Sequence, residues 1–573
     1  MKLEIKKYMI SWNWNYAVIL ILLFPIVGFS QVEDLKTDEE VMVIAPFNPS
    51  IRKAKKMNFA PKADSNQTHK IAIDYLTKPK LFATNFSLQK LKAAKFVDRK
   101  SPKYAQNFVK AGFGLYTTPY VELFVNNKMS NRSQVGVYVR HLSTSGEIND
   151  VAYAGNSLSS AKVWTKHIRR KQTTTLSVDY MRNQIHDYGF KVDDFPLELA
   201  NTNNNFKEDI KQVFSHARFN LNMQGNFDKK QRDWGIDMAY TYFWDIYNTQ
   251  EHLIDLNAHY DYAVDWVDTK DQYIGLALGT QTYQTIQNFS GFVASVDSTS
   301  GYFHGVYDLN PYYHLGFESL SLDIGAKLSM GLDSNARVTV APMVNLSVEL
   351  LGDQLKVYAT VDGGFYNQSI AALSGQNHFI SPLIPLKYTE NKYRIQAGLK
   401  GHYSSYLDYH AYVETASFKD MPMFVTDTLS KFNNTFTTIY DGGQKLGAGL
   451  EVLFKTERWN VKVRGQYQSY TMDTATRAWH KPELSYDLGV SYYVLENLKV
   501  TGLIIGQSKM YNLYEGEKPV EPWMDFSLMA DYYLSKNLGF FLNVNNIFSS
   551  EYEVWYGYPV QSIGVMGGVH FAF

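Results

Sequence analysis

Residues 537–573 read NLGFFLNVNNIFSSEYEVWYGYPVQSIGVMGGVHFAF. In the last eleven, Ile563, Val565, Gly567, Val569, Phe571 and Phe573 fall on one face of an extended segment. Gly564, Met566, Gly568, His570 and Ala572 fall on the other. A period of two is the signature of a strand. An apolar face that finishes in an aromatic suits the closing strand of a membrane β-barrel, which faces lipid on one side and pairs with the first strand at its edge. Val569, Phe571 and Phe573 are therefore read as the barrel-closing signal.

The same alternation recurs upstream. Val109, Ala111, Phe113 and Leu115 alternate with Lys110, Gly112, Gly114 and Tyr116. Ile254, Leu256, Ala258 and Tyr260 alternate with Asp255, Asn257, His259 and Asp261. Trp459, Val461, Val463 and Tyr467 alternate with Asn460, Lys462, Arg464 and Gln466. One face suits lipid and the other water. Such segments begin near 107, 119, 132, 159, 171, 208, 230, 252, 271, 300, 319, 336, 354, 391, 406, 442, 458, 481, 497, 522, 537 and 562. Their joints alternate between short (169–170, 318–319, 457–458, 496–497, 535–537) and long (145–158, 187–207, 288–299, 371–390, 421–441, 510–521, 549–561). Short periplasmic turns and long extracellular loops are the phase expected of an outer-membrane barrel. The fold expected is all-β, a large antiparallel transmembrane β-barrel of about 22 strands, with 18 or 20 also compatible, preceded by a mostly extended periplasmic segment.

Composition agrees. The 573 residues include 42 Tyr, 34 Phe and 10 Trp, 15% aromatic, as girdles at two membrane interfaces would use. There is no Cys, which excludes disulfides, thiolate catalysis and Cys-ligated metals. Formal net charge is zero but unevenly spread. Residues 31–104 carry 15 Lys/Arg against 8 Asp/Glu, and 105–573 carry an excess of nine negative charges. An acidic barrel behind a basic segment does not read as a nucleic-acid binder.

Residues 1–30 read as a signal peptide, with Lys2, Lys6 and Lys7 before the apolar run Ala17–Gly28 and small residues near a cut at Gln31. Residues 31–106 form a basic periplasmic or lumenal segment, and 107–573 the barrel.

A family resemblance rests on the closing stretch. Asn543-Val-Asn-Asn546-Ile547-Phe548, then Tyr552-Glu553, Gly557-Tyr558-Pro559 and a terminal strand ending in Phe573 resemble the end of the barrel in TonB-dependent outer-membrane receptors, particularly those of Bacteroidota. The motif match covers about 35 residues, and the barrel character extends the likeness to about 470. The family's plug domain is not recognisable; at 76 residues, segment 31–106 is too short for it. Glu40-Val41-Met42-Val43-Ile44-Ala45 is similar to the TonB box, a strand offered to the energy-coupling protein. Main-chain augmentation demands little of sequence, so an extended tether with one apolar patch is the competing reading.

The chain is read as non-enzymatic, with no cofactor and no metal site. His259, with Asp255 and Asp261 on the same inward face, could hold a cation, but lumen faces of large barrels are charged as a matter of course. Trp555, Tyr556 and Tyr558 could stack on an extracellular ligand or belong to the outer aromatic girdle, as Trp479 and Trp523 would. A barrel this wide is not filled by its own side chains, so something must occupy it: residues 31–106, the long loops 187–207, 371–390 and 421–441 folded inward, or another protein. Two functions follow. One is a receptor-like transporter with a reduced plug, moving a bulky solute under TonB coupling. The other is a scaffold of an outer-membrane assembly that recruits a periplasmic partner through 31–106. Outer-membrane lipid is a partner in both.

Overall fold

The computed structural model describes residues 107–130, 132–194, 207–225, 232–288, 299–333 and 336–573. The expected signal peptide, the basic segment and the TonB-box-like strand Glu40–Ala45 lie outside the described residues.

Twenty-two strands form one antiparallel sheet, each hydrogen-bonded to its sequence neighbours. The sheet closes on itself. The strand Asn107–Gly114 pairs with Thr118–Ser130 on one side and with the last strand, Gly564–Ala572, on the other, in the register Phe108↔Ala572 to Gly114↔Met566. Closure leaves no sheet edge with unpaired N–H and C=O groups, the condition for crossing hydrocarbon. The strands begin within three residues of the sequence expectation in every case but one.

The period-two reading holds in three dimensions. Val338 and Val340 are 67% and 64% exposed on the outer face, while Ala341 between strands is buried. Ile274, Leu276 and Leu278 form an outer row, and Gly275, Ala277 and Gly279 face inward between them. An exposed apolar band of this kind on a closed barrel is a lipid-facing surface. Aromatic residues collect at both ends of the band. Tyr180, Tyr240 and Trp244 lie toward the long loops. Tyr260, Tyr262, Trp266, Tyr403, Trp459, Phe571 and Phe573 lie toward the short turns.

The exception in strand position is informative. A loop is expected over 421–441, yet the strands run Leu407–Thr426 and Phe436–Lys455, leaving only 427–435 between them. Met423, Phe424 and Val425 are all buried. With both faces covered, this segment has no apolar–polar alternation to read. Two short hairpins, Met510–Leu513 with Glu517–Val520 and Glu553–Trp555 with Tyr558–Pro559, stand inside long loops and escape the sequence reading too.

Candidate functional site

The long-loop end of the barrel is capped from within. Inward-facing Ile185, Phe214 and Phe243 from three adjacent strands pack against Ile370, Leu373, Ile380, Ile384 and Leu386 of the loop 367–388, and against Phe424, Phe436 and Tyr558. A lumen wall is normally wet, so apolar residues at inward positions need a cover. The loop supplies it by folding inward, one of the routes that the width of the barrel requires.

Polar pins fix the loop. It opens on the short helix Ile370–Gln376, whose N-cap Ser369 accepts a hydrogen bond from Ala372 N at 2.9 Å. The carboxylate of Glu251, on the barrel wall, accepts from Ile370 N and Ala371 N at 3.1 Å each and from Thr285 Oγ1 at 3.0 Å. Glu251 is fully buried, so three donors are what make its burial tolerable. Gln287 Nε2, also on the wall, donates to Ile384 O at 2.9 Å. Farther along, Ser381 N donates to Phe436 O and Phe436 N to Phe379 O, both at 2.8 Å, joining the loop to the hairpin Leu407–Lys455.

Neighbouring loops lock onto this core. Tyr558 is 2% exposed, its ring stacked on Phe379 at 3.7 Å and edge-on to Tyr188 at 5.0 Å. Its hydroxyl donates to Asn434 O, and Asn434 Nδ2 donates to Asp187 O. Tyr188 Oη donates to Pro559 O at 2.9 Å. Asn512 Nδ2 donates to Thr426 Oγ1 at 2.7 Å. Burial sets the charge states here. It lowers His480 to about 4, so the imidazole is neutral, with Phe424 O 2.9 Å from Nδ1. It pushes the Asp187 carboxyl well above the usual range. It raises Asp245, in the joint 245–249, to about 6, against the pull of donors from Thr249 and Tyr247.

The three aromatic residues singled out from sequence divide. Tyr558 has both ring faces covered and acts as the keystone of the cap. Trp555 is half-buried against Phe424, Phe436 and His480, at 5.0–5.5 Å between ring centres. Tyr556 is half-buried near Tyr514. Trp479, expected in the girdle, is instead 2% exposed in a core with Met423 and Val425, and Trp523 stacks on Tyr552 at 4.5 Å. Val569, Phe571 and Phe573 stand on the lipid face of the closing strand.

Below the cap, the lumen wall is polar and largely paired. Lys162 meets Asp179 at 2.9 Å, Lys327 meets Asp308 at 3.1 Å, and Glu414 lies between Arg394 and Lys445. The inward Lys462 and Arg464 are satisfied across strands: Arg464 by Asp487 at 2.5 Å and Lys462 by Glu451 at 3.5 Å. Asp255 pairs with Arg218 at 3.9 Å rather than joining His259. Four residues along a strand span roughly 13 Å, too far for a shared ion.

No family model matches the sequence, and no curated protein matches it. Solved structures do resemble the fold. The pyoverdine outer-membrane receptor FpvA of Pseudomonas aeruginosa aligns with a TM-score of 0.60 at 15% identity, over 82% of this chain and 78% of its own. The ferric-catecholate import receptor Fiu of Escherichia coli K12 gives 0.61 at 11%, over 82% of each chain. The siderophore receptor PiuA of Acinetobacter baumannii gives 0.59 at 13%, again over 82% of each. At these identities the likeness is one of fold: this chain has the 22-stranded barrel architecture of outer-membrane siderophore receptors.

Proposed function

We propose that this chain is an outer-membrane, receptor-like transporter that carries a bulky solute through its lumen. The observation that carries the reading is the mouth: loop 367–388 folds inward, is pinned by Glu251 and Gln287, and interlocks with the tip of the hairpin Leu407–Lys455 and with the loop that precedes the closing strand. A capped mouth over a polar, charge-paired lumen suits gated passage. The likeness to a pyoverdine receptor bound to pyoverdine and to a ferric-catecholate import receptor supports a bulky cargo.

In this reading the short turns and residue 107 face the periplasm and the long loops face outward. Residues 1–30 are removed as a signal peptide. Segment 31–106 acts as a reduced plug and coupling arm, with Glu40–Ala45 adding a strand to TonB. Trp555 and Tyr556 offer ring faces at the outer rim. The chain is not an enzyme. The second reading, an assembly scaffold, is favoured by the seven excess positive charges of 31–104, which suit recruitment of an acidic periplasmic partner.

One experiment separates the two. The tagged full chain is purified in mild detergent from native membranes, and co-purifying proteins are identified by mass spectrometry. In parallel, binding to the periplasmic domain of TonB is measured for the wild type and Val43→Pro, since proline removes a ladder donor from an added strand. Transport predicts a lone barrel whose TonB binding is lost in the variant. A stoichiometric partner with no TonB binding would overturn it in favour of the scaffold.

A further inference from the structure

The lumen wall carries an arrangement that neither gating nor coupling uses. Asp233 and Asp261 sit directly opposite one another across the ladder between the strands Arg232–Trp244 and Gln250–Ala263, and His259 lies two residues from Asp261 on the same inward face. One ligand atom from each of the three comes within 4.8 Å of the others. Like charges directly opposite on a sheet are unfavourable unless a cation lies between them. Several carboxylates elsewhere on this wall have one: Lys162 for Asp179, Arg218 for Asp255, Lys327 for Asp308 and Arg464 for Asp487. No described Lys or Arg pairs with Asp233 or Asp261, and the imidazole of His259 makes no hydrogen bond among the described residues.

Two glycines shape the space around these groups. The ring of His259 lies over Gly235, its register partner, where a Cβ would come within 2.3 Å of Cε1. The ring of Tyr312 lies over Gly275 in the same way, a Cβ there falling 2.1 Å from Cζ. Tyr312 Oη donates to Asp261 Oδ1 at 2.5 Å and so orients that carboxylate from behind. Metal-ligating groups are commonly held by such outer hydrogen bonds. Four strands therefore contribute to one spot near the short-turn mouth of the lumen: two carboxylates and an imidazole in front, a tyrosine behind, and two positions kept free of side chains.

We propose that Asp233, His259 and Asp261 form a binding site for one divalent transition-metal ion of the zinc class. One imidazole nitrogen and two carboxylate oxygens are a borderline-hard set that suits such ions better than calcium, which takes six to eight oxygens. Bonds of about 2.0–2.2 Å require the ligand atoms to close from the present spacing to roughly 3–4 Å, a small rotation of the two carboxylates. Three protein ligands leave positions for water.

The test uses the full chain purified in detergent, without a histidine tag, titrated with Co2+ and then back-titrated with Zn2+. The expected result is a visible absorption band that saturates at one Co2+ per chain and is displaced by Zn2+. His259→Gln and Asp261→Asn should each weaken binding by about tenfold or more. Gly235→Ala, which keeps all three ligands but displaces the ring, should also weaken it. Asp255→Asn should bind as the wild type does. A shift in gel migration between unheated and heated samples of each variant confirms that the barrel is folded. Co2+ affinity unchanged by His259→Gln, or equal loss in Asp255→Asn, would overturn the site. So would uptake only at millimolar Co2+ without a nitrogen-ligand spectrum, which marks adventitious binding to a charged lumen.

Discussion

The barrel wall and its cap are stabilised in different ways. The wall is a closed hydrogen-bond ladder whose outer face needs only apolar side chains and whose inner face needs only solvated or cross-paired ones. Each strand satisfies its neighbours, so the wall tolerates variation at most single positions. The cap is a small hydrophobic core built from segments far apart in sequence, held by a few buried polar bonds. Its members depend on one another, and removing one exposes several. Removing strand pairing should thus cost the whole molecule, and removing a pin should cost only the cap.

The largest effect is expected where the wall closes. A Cβ at Gly568 would lie 2.1 Å from Ala111 O and 2.6 Å from both Gly112 Cα and the Phe541 ring. Gly568→Val should prevent the first and last strands from pairing and abolish the heat-modifiable barrel band in detergent. Normal migration would mean that the ladder can shift to absorb a side chain at its seam.

Tyr558→Ala comes next. Truncating a buried aromatic costs about 3–5 kcal/mol, here confined to the cap. Hydrogen exchange at 370–388 and 427–435 should accelerate while exchange in the strands and the gel shift stay as they are. Acceleration throughout the strands would erase the distinction between the two regions.

Glu251→Gln sharpens the comparison, because the residue stands on the wall and serves the cap. The amide keeps one acceptor for the two helix donors and Thr285, so the loss should be about 1–3 kcal/mol. Conductance of single channels in planar bilayers should flicker to larger openings than in the wild type, and Glu251→Ala should do so more strongly. An unchanged trace in both would remove Glu251 as the pin of loop 367–388.

The smallest effect is one of pH. His480 is lowered to about 4 from an ordinary 6.5, so the opened cap takes up a proton at higher pH than the closed one. Closure is therefore fully favoured above about pH 6.5 and loses this contribution as pH falls toward 4, at most about 3 kcal/mol. Asp245 acts in the opposite sense: raised to about 6, it favours the folded state as pH falls from 6 toward 3.8. Between pH 7 and 4.5, loop exchange should rise more in the wild type than in His480→Gln, because only the wild type has this imidazole to protonate. The same rise in both would assign the acid sensitivity elsewhere.

How far the sequence could be read follows the same division. Strand starts at 107 and 271, the short turns and the outward set ending at Phe573 were legible because each strand meets lipid on one face and water on the other. Segment 421–426 was misread as loop because both its faces are buried. Trp479 is expected in the girdle because an aromatic near a rim is written alike whether it turns toward lipid or toward a core. Asp233 went unnoticed beside His259 and Asp261 because the turn between its strand and the next sets which residues oppose each other, and one residue of slip would face it to lipid.

By itself, then, the sequence determined a barrel of about 22 strands, their in–out polarity, the seam at which they close and the acidic character of the wall. These are local properties, each residue set against the solvent beside it. The tertiary structure alone decided that loop 367–388 turns into the lumen, that Tyr558 serves a core rather than a surface, and that two aspartates and a histidine converge. Those depend on cross-strand register and on packing between segments hundreds of residues apart, and no single stretch of chain carries that information.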